Sequence, residues 1–330
     1  MRPMGRLNVY LPDDIAGLAA KWRGTLNLSE ICTEALRAQL GAAETGRTAE
    51  HIVRAFRPQS ALERALMARY DLAAASVCQA PPHDNALRET IGRAAAAYLG
   101  RILHDDVTLG VGGGRQMWSV VQALAPRSLR LQISALGLAQ NDPVVLHAHP
   151  NTLVTLIWLL CAPRGEAHLV GAKAFDELWT TNGPPKKDLR FCVACSCSPL
   201  QPDTPFANLL GSDAVAQLQA RGVRGDYAYQ FLDRAGNPVL FDLPDHASML
   251  AAPRLQTLAR RSDARVMLIA GGREKVEMMR LTLGAGLCNV LVTDDRTASV
   301  LVHKSGGTHE RRKSVSDSRN SHRIPRSISR

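Results

Sequence analysis

"RVMLIAGGREKVEMMRLTLGAGLCNVLVTDD", residues 265–295, decides how most of this chain folds. Its two short apolar runs, "RVMLIA" and "NVLVT", read as strands, and the segment between them reads as a helix over residues 273–285. A strand, a helix and a second strand in that order form a parallel pair, because a parallel connection must cross over the sheet. The same alternation continues outward. Further strands are expected at "ASVCQA", "VTLGV", "LRLQIS", "AHLVG" and "RFCVA", with helices over 60–70, 85–103, 115–125, 149–162 and 213–221. Short apolar strands separated by helices predict an α/β fold with a parallel, doubly wound, Rossmann-like sheet covered on both faces. Ligands bind such sheets at the carboxyl ends of the strands, so the loops leaving the strands are where a site is expected.

Two of those loops are glycine-rich. In "VTLGVGGGRQMWSVVQAL" a strand ends near Val111, Gly112, Gly113 and Gly114 leave the backbone unhindered, and a helix starts at Arg115 and Gln116. Backbone amides and a helix N-terminus converge there on a place where an anion could sit. The run is neither a Walker loop nor a dinucleotide fingerprint, since no Lys-Ser/Thr follows and the glycines are contiguous. Taken alone it is equally a tight turn. In the second loop, Gly271-Gly272 allow close approach, and Lys275, one turn into the next helix, could reach an anionic or hydroxylated ligand or remain a surface lysine.

The first forty residues pose a different problem. "RLNVYLPDD", residues 6–14, alternates Arg6, Asn8 and Tyr10 on one face with Leu7, Val9 and Leu11 on the other, then stops at Pro12. Ile15, Leu18, Ala19 and Trp22 follow at helical spacing. A second helix is expected from about Leu28 to Leu40, and Asn27 to Glu30 are spaced as a capping box. One strand and two helices make too small a core to fold alone, and the strand has no neighbour to pair with. Two copies solve both problems. Antiparallel pairing of twin strands yields a ribbon resting on four helices, with both copies of Arg6, Asn8 and Tyr10 outward, and such a ribbon fits the DNA major groove. Residues 43–59 read as a linker.

Of the net charge of +10, residues 1–57 contribute +2, residues 58–302 another +2, and residues 303–330 the remaining +6. That last segment lacks apolar periodicity and is expected to be a disordered basic tail. Overall basicity is therefore weak support for nucleic-acid binding, and the DNA-binding expectation rests on the N-terminal strand. The seven cysteines are odd in number and scattered, so they are expected to be reduced. With no apolar stretch long enough for a bilayer and no signal-peptide core, a cytoplasmic protein without membrane contact is expected. "CVACSC", with Cys192, Cys195 and Cys197, and "HAH", with His147 and His149, are weak zinc signals, so no metal and no cofactor are expected; small-residue packing and a polar lead into the next helix account for them better.

Residues 6 to about 40 resemble the ribbon-helix-helix family of DNA-binding proteins, through "RLNVYLPDD", "NLSE" and "ICTEAL". The resemblance implies an intertwined dimer in which Arg6, Asn8 and Tyr10 contact bases of an operator, while the amides of Asn27, Leu28 and Ser29 hold a phosphate. Residues 60–302 are similar to the sugar-binding effector domain of SorC/DeoR-type transcription regulators, whose fold is related to the sugar-phosphate isomerase and deaminase group. The stretches that carry this are "ALERALMARYDL", "IGRAAAAYLGRIL", "LGVGGGRQMWSVVQAL", "GVRGDYAYQFLDRAGNPV" and residues 266–302. This second resemblance implies that Gly112, Gly113, Gly114, Arg115 and Gln116 cradle a phosphate or equivalent polar group, with Asp226 and Lys275 lining the same pocket. It also implies a sugar or sugar phosphate as effector. The chain departs from the family in having Gly112, Gly113 and Gln116 where serine, tryptophan and threonine are common, and "ACSCS", residues 194–198, at an otherwise apolar strand end. An N-terminal ribbon-helix-helix is a further departure, since the family usually carries a helix-turn-helix. Together these features predict a non-enzymatic, ligand-responsive transcription regulator whose partners are operator DNA, a small effector and at least one further copy of itself. The rival reading is a sugar-phosphate isomerase or deaminase using Asp226 or Lys275 in acid-base roles.

Overall fold

The computed structural model describes residues 60–83, 86–137, 146–169, 188–201, 210–241 and 251–303. Arg6, Asn8, Tyr10, Asn27, Leu28 and Ser29, together with the linker and the basic tail, lie outside the described residues.

The central sheet is formed by β1 (Ala74–Cys78), β2 (Thr108–Val111), β3 (Gln132–Ala135), β4 (Glu166–His168), β5 (Phe191–Cys195), β10 (Ala264–Ile269) and β11 (Val290–Asp294). Their order is β1-β11-β10-β5-β2-β3-β4, and every pairing is parallel. The strands carry apolar residues continuously because both faces are covered. In β5, Cys192 and Ala194 enter one core while Phe191, Val193 and Cys195 enter the other. Three helices cover the first face: α2 (Leu87–Ile102), α3 (Arg115–Gln122) and α4 (Pro150–Cys161). The second face is covered by α1 (Ala61–Tyr70), α6 (Ala252–Ala259), α7 (Val276–Gly284) and α8 (Asp295–Val302).

The chain enters this domain through a well-capped helix. Ser60 Oγ accepts from the Glu63 amide, and the Glu63 carboxylate accepts from the Ser60 amide in return. The other oxygen of Glu63 accepts from Val77 N at 2.9 Å, which places the start of α1 beside the carboxyl end of β1. Ser60, where the described residues begin, therefore lies near the carboxyl end of β1.

A second sheet, of four antiparallel strands, was not part of the sequence expectation. It comprises β6 (Cys197–Pro199), β7 (Val223–Tyr227), β8 (Gln230–Asp233) and β9 (Pro238–Val239), with α5 (Ser212–Ala220) packed against it. Ser196 alone separates β5 from β6, so the backbone passes there from the parallel sheet into the antiparallel one. The β7–β8 turn is unusual. Ala228 and Tyr229 both have positive φ, 51° and 64°, in a two-residue connection that normally selects asparagine and glycine. Each such residue stores about 1–3 kcal/mol of strain, a cost that tends to appear where function requires a side chain at that place.

Three further expectations change in detail. The helix expected over 273–285 begins as a 3-10 turn at Arg273–Lys275, and α-geometry starts only at Val276. The strand expected at "AHLVG" is the three-residue edge strand Glu166–His168. Helices α6 and α8, absent from the expectation, complete the cover of the second face.

Candidate ligand-binding site

Strand order reverses between β2 and β5: the chain proceeds from β2 to β3 and β4 on one side, and from β5 to β10 and β11 on the other. At such a switch point the loops diverge and leave a crevice at the carboxyl ends. Gly112–Gly114 leave β2 there, and Ser196 leaves β5.

At Gly112 and Gly113 the loop is packed so closely that side chains are excluded, whereas Gly114 is in open space and is required by its φ of 104°. A Cβ on Gly112 would lie 2.8 Å from Cys195 Sγ, and one on Gly113 would meet the Tyr229 hydroxyl at 2.9 Å and the Pro150 ring at 3.0 Å. Gly137, after β3, meets the same Pro150 ring and the same hydroxyl. The glycines let the β7–β8 turn and the start of α4 close over the ends of β2 and β3.

The loop amides find partners within the protein. Gly112 N donates to Ala194 O at 3.0 Å, Gly114 N donates to Ala148 O at 2.8 Å, and the Gly113 amide donates to the Tyr229 hydroxyl. Arg115 is exposed at the start of α3, where no side chain caps the helix. Gln116 is buried and turns away, its Nε2 donating to Arg88 O at 3.0 Å.

Asp226, on β7, and Lys275, at the end of the 3-10 turn after β10, come together around Ser196. Lys275 Nζ donates to Ser196 Oγ at 3.4 Å. Asp226 is 5% exposed; its Oδ2 accepts from Tyr229 N at 3.1 Å, while its Oδ1 is buried without a hydrogen-bond partner among the described residues. Burial raises the Asp226 carboxyl to about 7, although the Tyr229 amide and Lys275 both pull it down. Gly271-Gly272 support this side: a Cβ on Gly271 would collide with the Asp294 carboxylate, and Gly272 N donates to Thr297 Oγ1 at 2.9 Å.

Tyr229 escaped the sequence reading, whereas His149, read there as a polar lead into the next helix, is that helix's cap. His149 caps α4, its Nδ1 accepting from Asn151 N at 3.2 Å, and its Nε2 is buried with no partner among the described residues. Because Nδ1 is the acceptor, the neutral ring carries its proton on Nε2. Burial lowers the His149 pKa and favours that neutral form. The "HAHPN" sequence, a polar residue before a proline at a helix start, carries the signal for that cap.

Cys192 faces one core and Cys195 and Cys197 the other, and burial pushes all three thiols up to about 12. Two hollows lie away from the switch point. One of about 770 Å³ is bordered by Arg221, Arg224, Asp233 and Glu277, and one of about 380 Å³ by Arg130, Arg164 and Arg190 at the amino ends of the strands. Their charges are largely spent on the protein itself, as in the pairs Arg224–Glu277, Arg130–Asp106 and Arg164–Asp105. Buried side-chain atoms without a hydrogen-bond partner among the described residues are Ser134 Oγ, His149 Nε2, His168 Nε2, Asp226 Oδ1 and Thr293 Oγ1.

This arrangement can be set beside known proteins. The family model "Sugar-bind: Putative sugar-binding domain" matches residues 54–156 and 201–303. The chain belongs to this family. The fold is shared with the crystal structure of a probable sor operon regulator from Shigella flexneri (TM-score 0.59, 19% identity, covering 73% of this chain and 98% of that one). It is shared equally with the full-length sorbitol operon regulator SorC from Klebsiella pneumoniae (TM-score 0.57, 20% identity, 75% of this chain and 82% of that one). A DeoR family transcriptional regulator from Listeria monocytogenes also matches (TM-score 0.57, 17% identity, 73% and 98%). No curated protein sequence matches the chain. Among the described residues, no helix of this Sugar-bind chain is long and apolar enough to cross a membrane.

Proposed function

We propose that this protein is a ligand-responsive, DNA-binding transcription regulator. Residues 60–302 sense a sugar, sugar phosphate or related metabolite, and residues 1–42 form a dimeric ribbon-helix-helix that reads an operator. Residues 43–59 link the two, and 303–330 form a basic tail. The observation that carries the reading is the sugar-binding family match over residues 54–156 and 201–303, in a fold whose β2/β5 switch point has the glycine loop on one side and Ser196, held by Lys275, on the other. Gly112, Gly113, Gly114 and Arg115 are proposed to face the effector there, while Gln116, expected with them, is turned toward Arg88. The partners are operator duplex, the effector and a second copy of the chain, and the setting is the cytoplasm.

The attachment point suggests how the two parts communicate. Ser60 lies near the carboxyl end of β1, the end of the sheet from which the glycine loop also leaves. A ligand that favours one arrangement of the paired effector domains changes the spacing of the DNA-reading ribbons, and operator affinity changes by the same free energy.

Two substitutions test the two halves. Asn8→Ala is expected to abolish specific operator protection in footprinting while leaving the oligomer intact; an unchanged footprint removes the ribbon from the reading. Lys275→Ala is expected to preserve DNA binding but to shift the effector dose-response at least tenfold, and an unaltered curve takes Lys275 out of the pocket. The enzyme alternative is checked by assaying the purified chain for turnover of a sugar-phosphate panel, where ready turnover would replace the regulator.

A further inference from the structure

At the opposite end of the sheet from the glycine loop, the hollow of about 380 Å³ has a floor set by strand register. Phe191 of β5 pairs with Thr108 of β2, Thr108 with Gln132 of β3, and Gln132 with Glu166 of β4. Registered residues of parallel strands share a face, so the four form one row, and all four line the hollow. They stand on the second face, because Leu109, Ile133 and Cys192, which alternate with them, enter the core of the first. Helices α1, α6 and α8 cover that face over β1, β10 and β11. Over β2, β3 and β4 it is polar, and the next row of the same strands, Gly110, Ser134 and His168, continues the pattern. Strands covered on both faces are apolar throughout, so this alternation, with Gln132 and Glu166 exposed, marks the part of the sheet open to a solute.

Five charged residues line the hollow, and three of them are engaged within the protein. The Asp106 carboxylate accepts from Arg130 Nε at 2.8 Å and Nη2 at 3.0 Å, while Asp105 and the Ser128 carbonyl hold Arg164. Arg190 and Glu166 are left over. Among the described residues no carboxylate reaches Arg190, whose guanidinium lies over the Phe191 ring at 5.5 Å, and Glu166 has only the imidazole of His168, 3.4 Å away. Arg261 also lies over that ring, at 5.6 Å, so the ring is a poor platform for an aromatic ligand. The two spare charges are opposite in sign and belong to opposite ends of the row, three strand spacings or roughly 14 Å apart at the backbone.

We infer that this hollow binds a small aliphatic zwitterion whose charges are several carbon atoms apart, an ω-amino acid, with its carboxylate on Arg190 and its ammonium on Glu166. A simple anion would satisfy Arg190 and leave Glu166 repelling it, and a simple amine would do the converse. An α-amino acid carries both charges but holds them too close together to meet both ends of the row. Each end would form a charge-assisted hydrogen bond, with the Thr108 hydroxyl and the Gln132 amide between them for any polar group on the chain. The site is separate from the proposed effector site, which lies at the other end of the same strands.

The test is isothermal titration calorimetry on the full chain at low ionic strength, where exposed charges are least screened. The probes are 6-aminohexanoate, 4-aminobutyrate, glycine, hexanoate, hexylamine and inorganic phosphate. 6-Aminohexanoate is expected to bind at least tenfold more tightly than glycine, hexanoate, hexylamine or phosphate, with 4-aminobutyrate between. Arg190→Gln and Glu166→Gln each remove one charge from the solvent-facing rim, so both variants should melt normally and bind 6-aminohexanoate at least tenfold more weakly. Equal binding of hexanoate or phosphate means a plain anion site and overturns the inference. So does affinity for 6-aminohexanoate that survives both substitutions, or no binding of any probe by the folded chain. None of these results bears on the sensor reading, which concerns the carboxyl end of the sheet.

Discussion

At pH 8, replacing Asp226 with asparagine is expected to stabilise the effector domain, and to do so far more than at pH 5. The carboxyl group rises from an ordinary 3.8 to about 7, chiefly because burial disfavours its charge. A carboxyl group whose folded pKa exceeds its unfolded one holds its proton more tightly when folded. The stability it contributes is therefore complete below about pH 4 and is lost as pH rises through about 7. Asparagine carries no proton to lose, so the advantage of the variant should grow across that window. With each pKa unit worth about 1.4 kcal/mol, the gain at pH 8 exceeds that at pH 5 by about 3 kcal/mol. For a domain of this size that corresponds to roughly 6–12 °C in melting temperature. The hydrogen bond from Tyr229 N can be kept by the asparagine oxygen, so the turn is retained. Melting curves of both proteins at the two pH values decide the matter; parallel pH profiles would mean that Asp226 is not the buried acid described.

Much of the central sheet was legible because a parallel strand covered on both faces is apolar throughout. "RVMLIA" and "NVLVT" have no competing interpretation once a helical segment lies between them. The antiparallel sheet was illegible for a local reason. The turn that makes it a hairpin is built from Ala228 and Tyr229, which carry none of the glycine or asparagine signature that identifies such turns. The same violation hid part of the site, because Tyr229 reaches Gly113 and Gly137 only through that strained turn. Asp226 and Lys275 were singled out through the resemblance of the surrounding stretches, and they are near enough for the Lys275 charge to act on the Asp226 carboxyl. Gln116 follows from the same resemblance, but its amide turns to Arg88, a direction set by the packing of α3 against α2. His149 illustrates the limit most clearly. A histidine before a helix reads as a cap, and it is one, but an unpartnered Nε2 is visible only when every neighbouring group has been placed.

Asn289→Ala should be the most damaging substitution of a polar residue far from the crevice. The residue opens β11 at 3% exposure and joins four elements through one side chain and its own backbone. Its Oδ1 accepts from Val266 N at 2.8 Å, and its Nδ2 donates to Ala259 O at 2.9 Å and Ala264 O at 3.0 Å, tying α6 and β10 to β11. Its carbonyl accepts from Ala73 N and Ala74 N, which sets the register of β1 on β11. Alanine leaves the Val266 amide without this acceptor, inside a core that water does not reach, and strips a donor from two carbonyls. Ala264 O still receives Arg265, so the loss falls mainly on the Val266 amide and the Ala259 carbonyl. At about 1–3 kcal/mol for each buried group left unsatisfied, the cost is about 3 kcal/mol, or roughly 6–12 °C of melting temperature. Asn289→Asp provides the discriminating control. It preserves volume and an acceptor for Val266, but a carboxylate cannot donate to Ala259 and Ala264, so it should be at least as unstable as alanine at neutral pH and should recover partly as the solution is acidified and the carboxyl gains a proton to donate. If aspartate were tolerated at pH 7, the paired carbonyls would not be what Asn289 is there to satisfy, and the junction of β1, β10, β11 and α6 would have to be held by apolar packing alone.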